Sequence, residues 1–375
     1  MRKIFWGVPS LTNIGGTETV SIKLMNLLCD EYEIHLICAS EIDGDLSYEI
    51  DPRIQVHSLG VPAEVGRFDQ HFFSYCKKFQ IGKLIRLLHR TLVHYVYRRG
   101  RTRKMIENWM DEDSIYIGSA MDSYLLAPKH RRVFFHFHFD AASFMNSTNR
   151  FTFLFSSKPE KFIFLSKATM EAVLQKKRKL KEKSCYIHNP IRFVPKEDAS
   201  YHGNRILFVG RLTEQKDPML ALAVAKSLHE DGFPFSLQMY GDGHLEPEMR
   251  KYIKDNGLHE VALECHHKVV AEDYLRSDLL LCTSAWEGFY LIGGEANANS
   301  CPVVTTRWKG SIKEAVTDGE SGWIVEGRDP KDLAKKIEEV LSDRESLAAA
   351  KKRAYRDSFR LSDGPIKKKW EEILG

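Results

Sequence analysis

The chain has 375 residues, more than one hydrophobic core usually serves, so two domains are expected. Its apolar, charged, glycine and proline contents are those of an ordinary globular protein, and no run of about 18 apolar residues exists to span a bilayer. The seven cysteines form no CxxC pair or regular framework, which fits reduced thiols in a cytoplasmic protein. The net charge of +4 is unevenly spread: residues 1–195 hold 29 Lys and Arg against 20 Asp and Glu, and the remainder is net acidic. The first half is therefore expected to face something anionic.

In chain order, Met1 to Ser10 is too short and too polar afterwards for a signal peptide and reads as a first strand, centred on Lys3 to Val8. A second strand is predicted at Glu33 to Cys38, with Val20, Leu24, Leu27 and Leu28 on one face of a helix between the two. Further strands are predicted at 114–118, 132–139, 162–165 and 184–188. The second half repeats the scheme, with strands at 205–209, 235–240, 261–264, 279–282, 302–305 and 322–325 and helices over 219–228 and 333–341. This alternation predicts an α/β protein with two doubly wound parallel sheets. The polar stretch after Asn189-Pro190 is the expected linker, which sets domains at 1–190 and 205–358 joined by 191–204. Residues 359–375 form a terminal segment whose amphipathic helix, with Trp370 on its apolar side, is expected to dock near the first domain.

Four stretches carry candidate chemistry. Gly15-Gly16-Thr17-Glu18 follows the first strand and opens a helix, where glycines let amides approach an anion and the helix start adds positive charge. It lacks the GxGxxG spelling of a dinucleotide site, and a tight turn is the plainer alternative. In Gly210-Arg211-Leu-Thr-Glu-Gln-Lys216-Asp217-Pro218 two cations lie between a strand end and a helix capped by Asp217 with Pro218 at its first position. That places Arg211 and Lys216 at the carboxyl edge of a sheet, where ligands bind in open α/β folds.

Glu287 and Glu295 stand eight positions apart, with Gly288, Phe289, Tyr290, Leu291, Gly293 and Gly294 between them. A helix starting near Tyr290 would point its first amides at a phosphate, place Glu295 within reach of ribose hydroxyls, and leave Glu287 in a loop facing a sugar. Trp286 and Phe289 flank Glu287 and argue against a solvated face. In Val133-Phe-Phe-His136-Phe-His138-Phe-Asp140 the two histidines share one face of a strand. His138, nearer its end, is favoured over His136 as the functional one. Cys265-His266-His267 has no converging partner pair and does not read as a metal site.

Together these pieces resemble the retaining glycosyltransferases of the GT-B fold usually called GT4. The resemblance rests on Gly210-Arg211-Leu-x3-Lys216, the Glu287-x7-Glu295 pair, Cys301-Pro-Val-Val-Thr-Thr, Gly319-Glu-Ser-Gly-Trp-Ile-Val and Asn189-Pro190. It is strong over 204–345 and weaker over the first half. Tyr290 stands where the family usually has Gly or Pro, and Gly293-Gly294 where it has larger residues. The resemblance implies two Rossmann-like domains facing across a cleft, acceptor-side first and donor-binding second. It implies a nucleoside diphosphate sugar donor, UDP favoured, and a glycan or lipid-linked acceptor of surface polysaccharide or teichoic acid type. Arg211 and Lys216 would neutralise the departing diphosphate, assisted by backbone near Gly15, Gly16, Gly210 and Tyr290. Glu287 and His138 would contact the sugar, and Glu295 the ribose.

No cofactor or metal is expected: Asp43-Gly-Asp45 and Asp111-Glu-Asp113 carry a D-x-D spelling, but in the wrong strand context. A non-catalytic acceptor-binding subunit of the same fold and a nucleotide-sugar epimerase are the alternatives. The basic stretch from Lys77 to Lys104 holds ten Lys and Arg with no acid, among them Lys77, Lys78, Lys83, Arg86, Arg90, Arg98 and Arg99. It reads either as a surface for anionic lipid on the inner face of the plasma membrane or as a solvated helix face. No nucleic-acid recognition motif occurs.

Overall fold

The computed structural model describes residues 1–11, 15–40, 42, 48–60, 80–83, 85–86, 98–129, 131–139, 141–145, 158–308 and 311–375. The chain divides into two compact units. One comprises Met1–Leu165, Met170–Ile187 and Lys369–Gly375; the other comprises Ser166–Thr169 and His188–Lys368.

The first unit is built on a seven-stranded parallel sheet: β1 (Arg2–Val8), β2 (Tyr32–Cys38), β3 (Gln55–Ser58), β4 (Ile115–Gly118), β5 (Arg132–Phe137), β6 (Lys161–Phe164) and β7 (Ser184–Tyr186). Their order is β3-β2-β1-β4-β5-β6-β7, and Ile4 of β1 pairs with Ile34 on one side and Ile115 on the other. β3 escaped the sequence reading because this edge strand is short and mostly exposed, with no apolar alternation to mark it. β5 ends at Phe137, two residues earlier than expected, so His138 lies just past the strand.

The second unit carries β8 (Arg205–Val209), β9 (Ser236–Tyr240), β10 (Val261–Glu264), β11 (Leu279–Cys282), β12 (Val303–Thr306) and β13 (Gly322–Val325). Their order is β10-β9-β8-β11-β12-β13, also parallel. Both faces are covered: Ile206 and Phe208 join the apolar cluster of the helices Pro218–Glu230 and Pro330–Ser342, while Leu207 joins the cluster of Tyr274, Tyr290 and Trp308. Two-sided burial explains why these strands read as continuous apolar runs.

The terminal helix Asp363–Leu374 ends inside the first unit. Trp370 is fully buried there, 5.1 Å from the ring of Trp6 and 5.0 Å from that of His136. The Arg2 guanidinium donates to the carbonyls of Leu374 and Gly375. The docking expected of this helix is thus found. Among the described residues no helix is long and apolar enough to cross a membrane.

Candidate functional site

Strand order reverses between β8 and β11, and the loops that leave their carboxyl ends diverge there; in doubly wound sheets this point is where ligands bind. β8 runs into Gly210, whose missing side chain leaves room for Lys216: a Cβ at 210 would lie 3.2 Å from Lys216 Cγ. Lys216 Nζ donates to Glu287 Oε1 at 2.5 Å, and Ser284 Oγ donates to the same oxygen at 2.7 Å. Both members of the pair are largely buried, at 13 % and 7 % side-chain exposure. A charge pair so shielded is worth keeping only with its partners in place.

The two loops are laced together. Thr283 Oγ1 donates to the carbonyls of Lys216 (3.0 Å) and Asp217 (2.8 Å), and the Ala285 amide donates to Gln215 O. Gln215 Nε2 reaches Trp286 O at 3.2 Å, and Arg211 Nη2 donates to Gln215 Oε1 at 2.8 Å from an exposed position. Asp217 caps the helix Pro218–Glu230 by accepting from the Leu220 amide, as its sequence predicts, and does so from a left-handed backbone conformation.

Arg328 closes the array and was missed from sequence. Its Nη1 donates to Ser284 O and Thr306 Oγ1, and its Nη2 to Asp217 Oδ2 and Thr283 O, both at 2.6 Å. One guanidinium thereby ties the loops after β8, β11, β12 and β13. The signal was present: like Arg211, Arg328 follows a glycine past a strand end and precedes an Asp-Pro helix start, Asp329-Pro330.

Phe289 and Tyr290 are buried and Leu291 opens the helix Leu291–Ala298, with Tyr290 at its cap position. Phe289 stacks on His188 at 5.2 Å, whose Nε2 contacts Glu314 Oε2 at 2.8 Å. Trp286, expected beside Phe289 as cover for Glu287, is instead half exposed. Glu295 belongs to a second ion pair. Arg192 grips both its oxygens, Nε to Oε1 at 2.6 Å and Nη2 to Oε2 at 2.8 Å, and Tyr274 OH adds a 3.2 Å bond. Arg192 and Tyr274 were not singled out from sequence.

In the first unit, Gly15 caps the helix Gly16–Leu28 and its amide donates to Tyr48 OH at 3.0 Å. The Glu18 carboxylate folds back over this helix start, so close that a Cβ at Gly15 would meet Oε2 at 2.2 Å. Burial raises the Glu18 carboxyl above the ordinary carboxylate range. His138 Nε2 lies 3.0 Å from His136 Nδ1, and His136 is enclosed by Trp6 and Trp370. Burial lowers both imidazoles, His138 to about 3, so the two are neutral at physiological pH.

The remaining candidates separate. His266 faces Asp242 and His267 faces Asp273, so Cys265-His266-His267 does not converge. Asp111 accepts from Ser114 Oγ and pairs with Lys3; Asp43 and Asp45 lie outside the described residues. Among the described residues, His229, His259 and Glu260 bring one ligand atom each within 4.8 Å, at the opposite end of the helix Pro218–Glu230 from Lys216. Of the basic stretch, Lys77, Lys78 and Arg90 lie outside the described residues, as do the side chains of Arg98 and Arg99. Lys83 and Arg86 are exposed beside Ile81 and Ile85.

Residues 192–357 match the family described as glycosyl transferases group 1. Over its whole length the chain is 26 % identical to a Campylobacter jejuni GalNAc-alpha-(1->4)-GalNAc-alpha-(1->3)-diNAcBac-PP-undecaprenol alpha-1,4-N-acetyl-D-galactosaminyltransferase, covering 98 % of that protein. Among solved structures it is similar to a point mutant of Staphylococcus aureus TarM, crystallised in complex with Fondaparinux, alpha-GlcNAc-glycerol and UDP. There the TM-score is 0.77 at 15 % identity, with all of both chains covered. It is also similar to Anabaena Alr3699/HepE with UDP and glucose, at a TM-score of 0.73 and 17 % identity over 100 % and 99 % of the two chains. These structural likenesses show the GT-B fold.

Proposed function

We infer, for a chain that belongs to the group 1 glycosyl transferases through residues 192–357, that its donor is a UDP-sugar and its acceptor a lipid-linked or polymeric glycan. The observation that carries the reading is the Lys216–Glu287 pair at the carboxyl ends of β8 and β11.

Breaking a glycosyl–phosphate bond sheds a diphosphate that gains negative charge as the bond lengthens. A fixed ammonium held in a dry site stabilises that charge more in the transition state than in the ground state. Lys216 is so held, its stem bedded on Gly210 and its head on Glu287. Arg211, exposed, donates to neutral Gln215 and has no ion pair among the described residues, so it can swing to the same charge. The first amides of the helix Leu291–Ala298 add donors. Glu287 keeps one oxygen for Lys216 and Ser284 and offers the other to a sugar hydroxyl. The departing phosphate takes the acceptor's proton, so retention of configuration needs no dedicated protein base.

Support for UDP comes from the relatives: TarM and HepE were crystallised with UDP, and the Campylobacter enzyme acts on an undecaprenyl diphosphate-linked glycan. Exposed Ile81 and Ile85 beside Lys83 and Arg86 suit an acceptor presented at an anionic lipid surface. The experiment is a panel of nucleotide sugars, read as UDP release with and without acceptor and as thermal stabilisation. Acceptor-stimulated UDP release supports the reading. A flat response to every nucleotide sugar overturns it, and conversion of one UDP-sugar to its epimer without UDP release would replace it.

A further inference from the structure

We propose that Tyr290 is a positioning residue for the Lys216–Glu287 pair, and that Gly293 is present to admit its ring. The inference rests on the functional reading above and adds a residue whose side chain that reading does not use.

The ring of Tyr290 folds back over the first turn of the helix it caps. A Cβ built on Gly293 would lie 2.3 Å from Tyr290 Cδ1 and 2.4 Å from Cε1, well inside van der Waals contact. The ring cannot swing aside, because it is 2 % exposed and meets the indole of Trp308 edge-on at 5.3 Å. The two positions are therefore coupled: an aromatic ring at 290 requires no side chain at 293.

The Tyr290 ring also reaches the charge pair. Its face lies under the ammonium of Lys216, with Nζ 5.9 Å from the ring centroid, a distance at which the ring quadrupole attracts a cation. On the other side of the pair the Cys282 thiol donates to Ser284 Oγ at 3.6 Å, and Ser284 in turn donates to Glu287 Oε1. Glu287 Oε1 also accepts from Lys216. The ring face therefore backs the ammonium that Glu287 holds, and the position of the ring bears on the direction of Lys216. Burial raises the Tyr290 hydroxyl well above the ordinary phenol range, so the ring stays uncharged beside Lys216.

The test uses the full chain, UDP as the probe and calorimetric titration as the readout, with thermal unfolding of every variant measured in parallel. The step Gly293→Ala is expected to cost at least tenfold in UDP affinity with Tyr290 present, and less than threefold in a Tyr290→Gly background. Tyr290→Phe, which keeps the face, is expected to stay within threefold of the parent. Tyr290→Leu, similar in bulk without a face, is expected to lose at least fivefold while melting close to Tyr290→Phe. Equal cost of Gly293→Ala on both backgrounds, or equal affinities for the Phe and Leu variants, overturns the proposal while leaving the functional reading intact. If the unsubstituted chain binds neither UDP nor any other nucleoside diphosphate, the functional reading fails and this inference falls with it.

Discussion

Arg192 holds both carboxylate oxygens of Glu295, at 2.6 and 2.8 Å, although the two residues stand 103 positions apart in the chain. Glu295 is 1 % exposed and Arg192 about a third exposed, so the fork of the guanidinium supplies most of what solvent would otherwise give a buried anion. Removing one partner of a buried pair leaves an uncompensated charge and costs about 3–5 kcal/mol; with Arg192 partly solvated, Arg192→Ala should fall at the low end. Urea unfolding would show it, and Arg192→Ala combined with Glu295→Gln should recover part of the loss. Recovery of nothing would mean that the pair contributes no stability of its own.

The same pairing limits what Glu295 can offer a ribose. A carboxylate has about four lone-pair sites, of which Arg192 takes two and Tyr274 one. If the remaining capacity reads the sugar, Glu295→Ala should shrink the preference for UDP over 2′-deoxy-UDP by about tenfold, the worth of one charge-assisted hydrogen bond. An unchanged preference would assign Glu295 to anchoring Arg192 alone.

For Lys216 the expectation concerns turnover. Loss of one preorganised donor to developing charge typically costs about 2.7–4 kcal/mol, so Lys216→Ala should lower the rate of UDP release on the order of a hundred- to thousandfold. Lys216→Arg should not restore it, because Glu287 and Gly210 bound a site fitted to a narrow stem. A rate within tenfold of the parent would remove Lys216 from the reaction.

Strand positions in the second unit were legible because its sheet is covered on both faces, which writes each strand as a short apolar run. The cap at Asp217-Pro218 and the carboxyl-edge position of Lys216 followed from local grammar. Arg192 was not legible for the opposite reason, and Arg328 was marked only by its Gly-Arg…Asp-Pro setting: each acts across a long sequence separation, and nothing beside them in the chain names Glu295 or Asp217 as a partner. Tyr290 was visible as a departure from pattern, but its link to Gly293 needed the ring's direction, which a sequence does not carry.

Arg328 tests whether loop lacing matters as much as the charges it carries. Its four bonds end on Asp217, Thr283, Ser284 and Thr306, and two of these acceptors are backbone carbonyls with fixed geometry. Arg328→Lys keeps the charge but offers a single ammonium where a planar fork reaches four acceptors. Both Arg328→Lys and Arg328→Ala should weaken UDP binding and lower stability by about 1.5–3 kcal/mol, the worth of a hydrogen bond to a charged group. Full function in Arg328→Lys would reduce the residue to a surface cation.

The histidine pair of the first unit makes stability depend on pH with a definite sign. His136 and His138 are neutral when folded, lowered by burial, with His138 at about 3, whereas an unfolded histidine titrates near 6.5. Between those values the unfolded chain binds protons that the folded chain refuses, so stability rises with pH. The contribution is complete above about 6.5 and is lost as pH falls through 5 and toward 3, at up to about 1.4 kcal/mol per pH unit for each histidine. His35 and His57, in contact at 3.0 Å and also lowered by burial, add to the same trend, so the parent profile alone does not identify the pair. The double variant His136→Gln/His138→Gln isolates it. That variant should be less stable than the parent at pH 7, since Trp6 and Trp370 pack on His136, yet lose less on going to pH 5. Parallel profiles for parent and variant would show that protonation of these two imidazoles does not drive the acid loss.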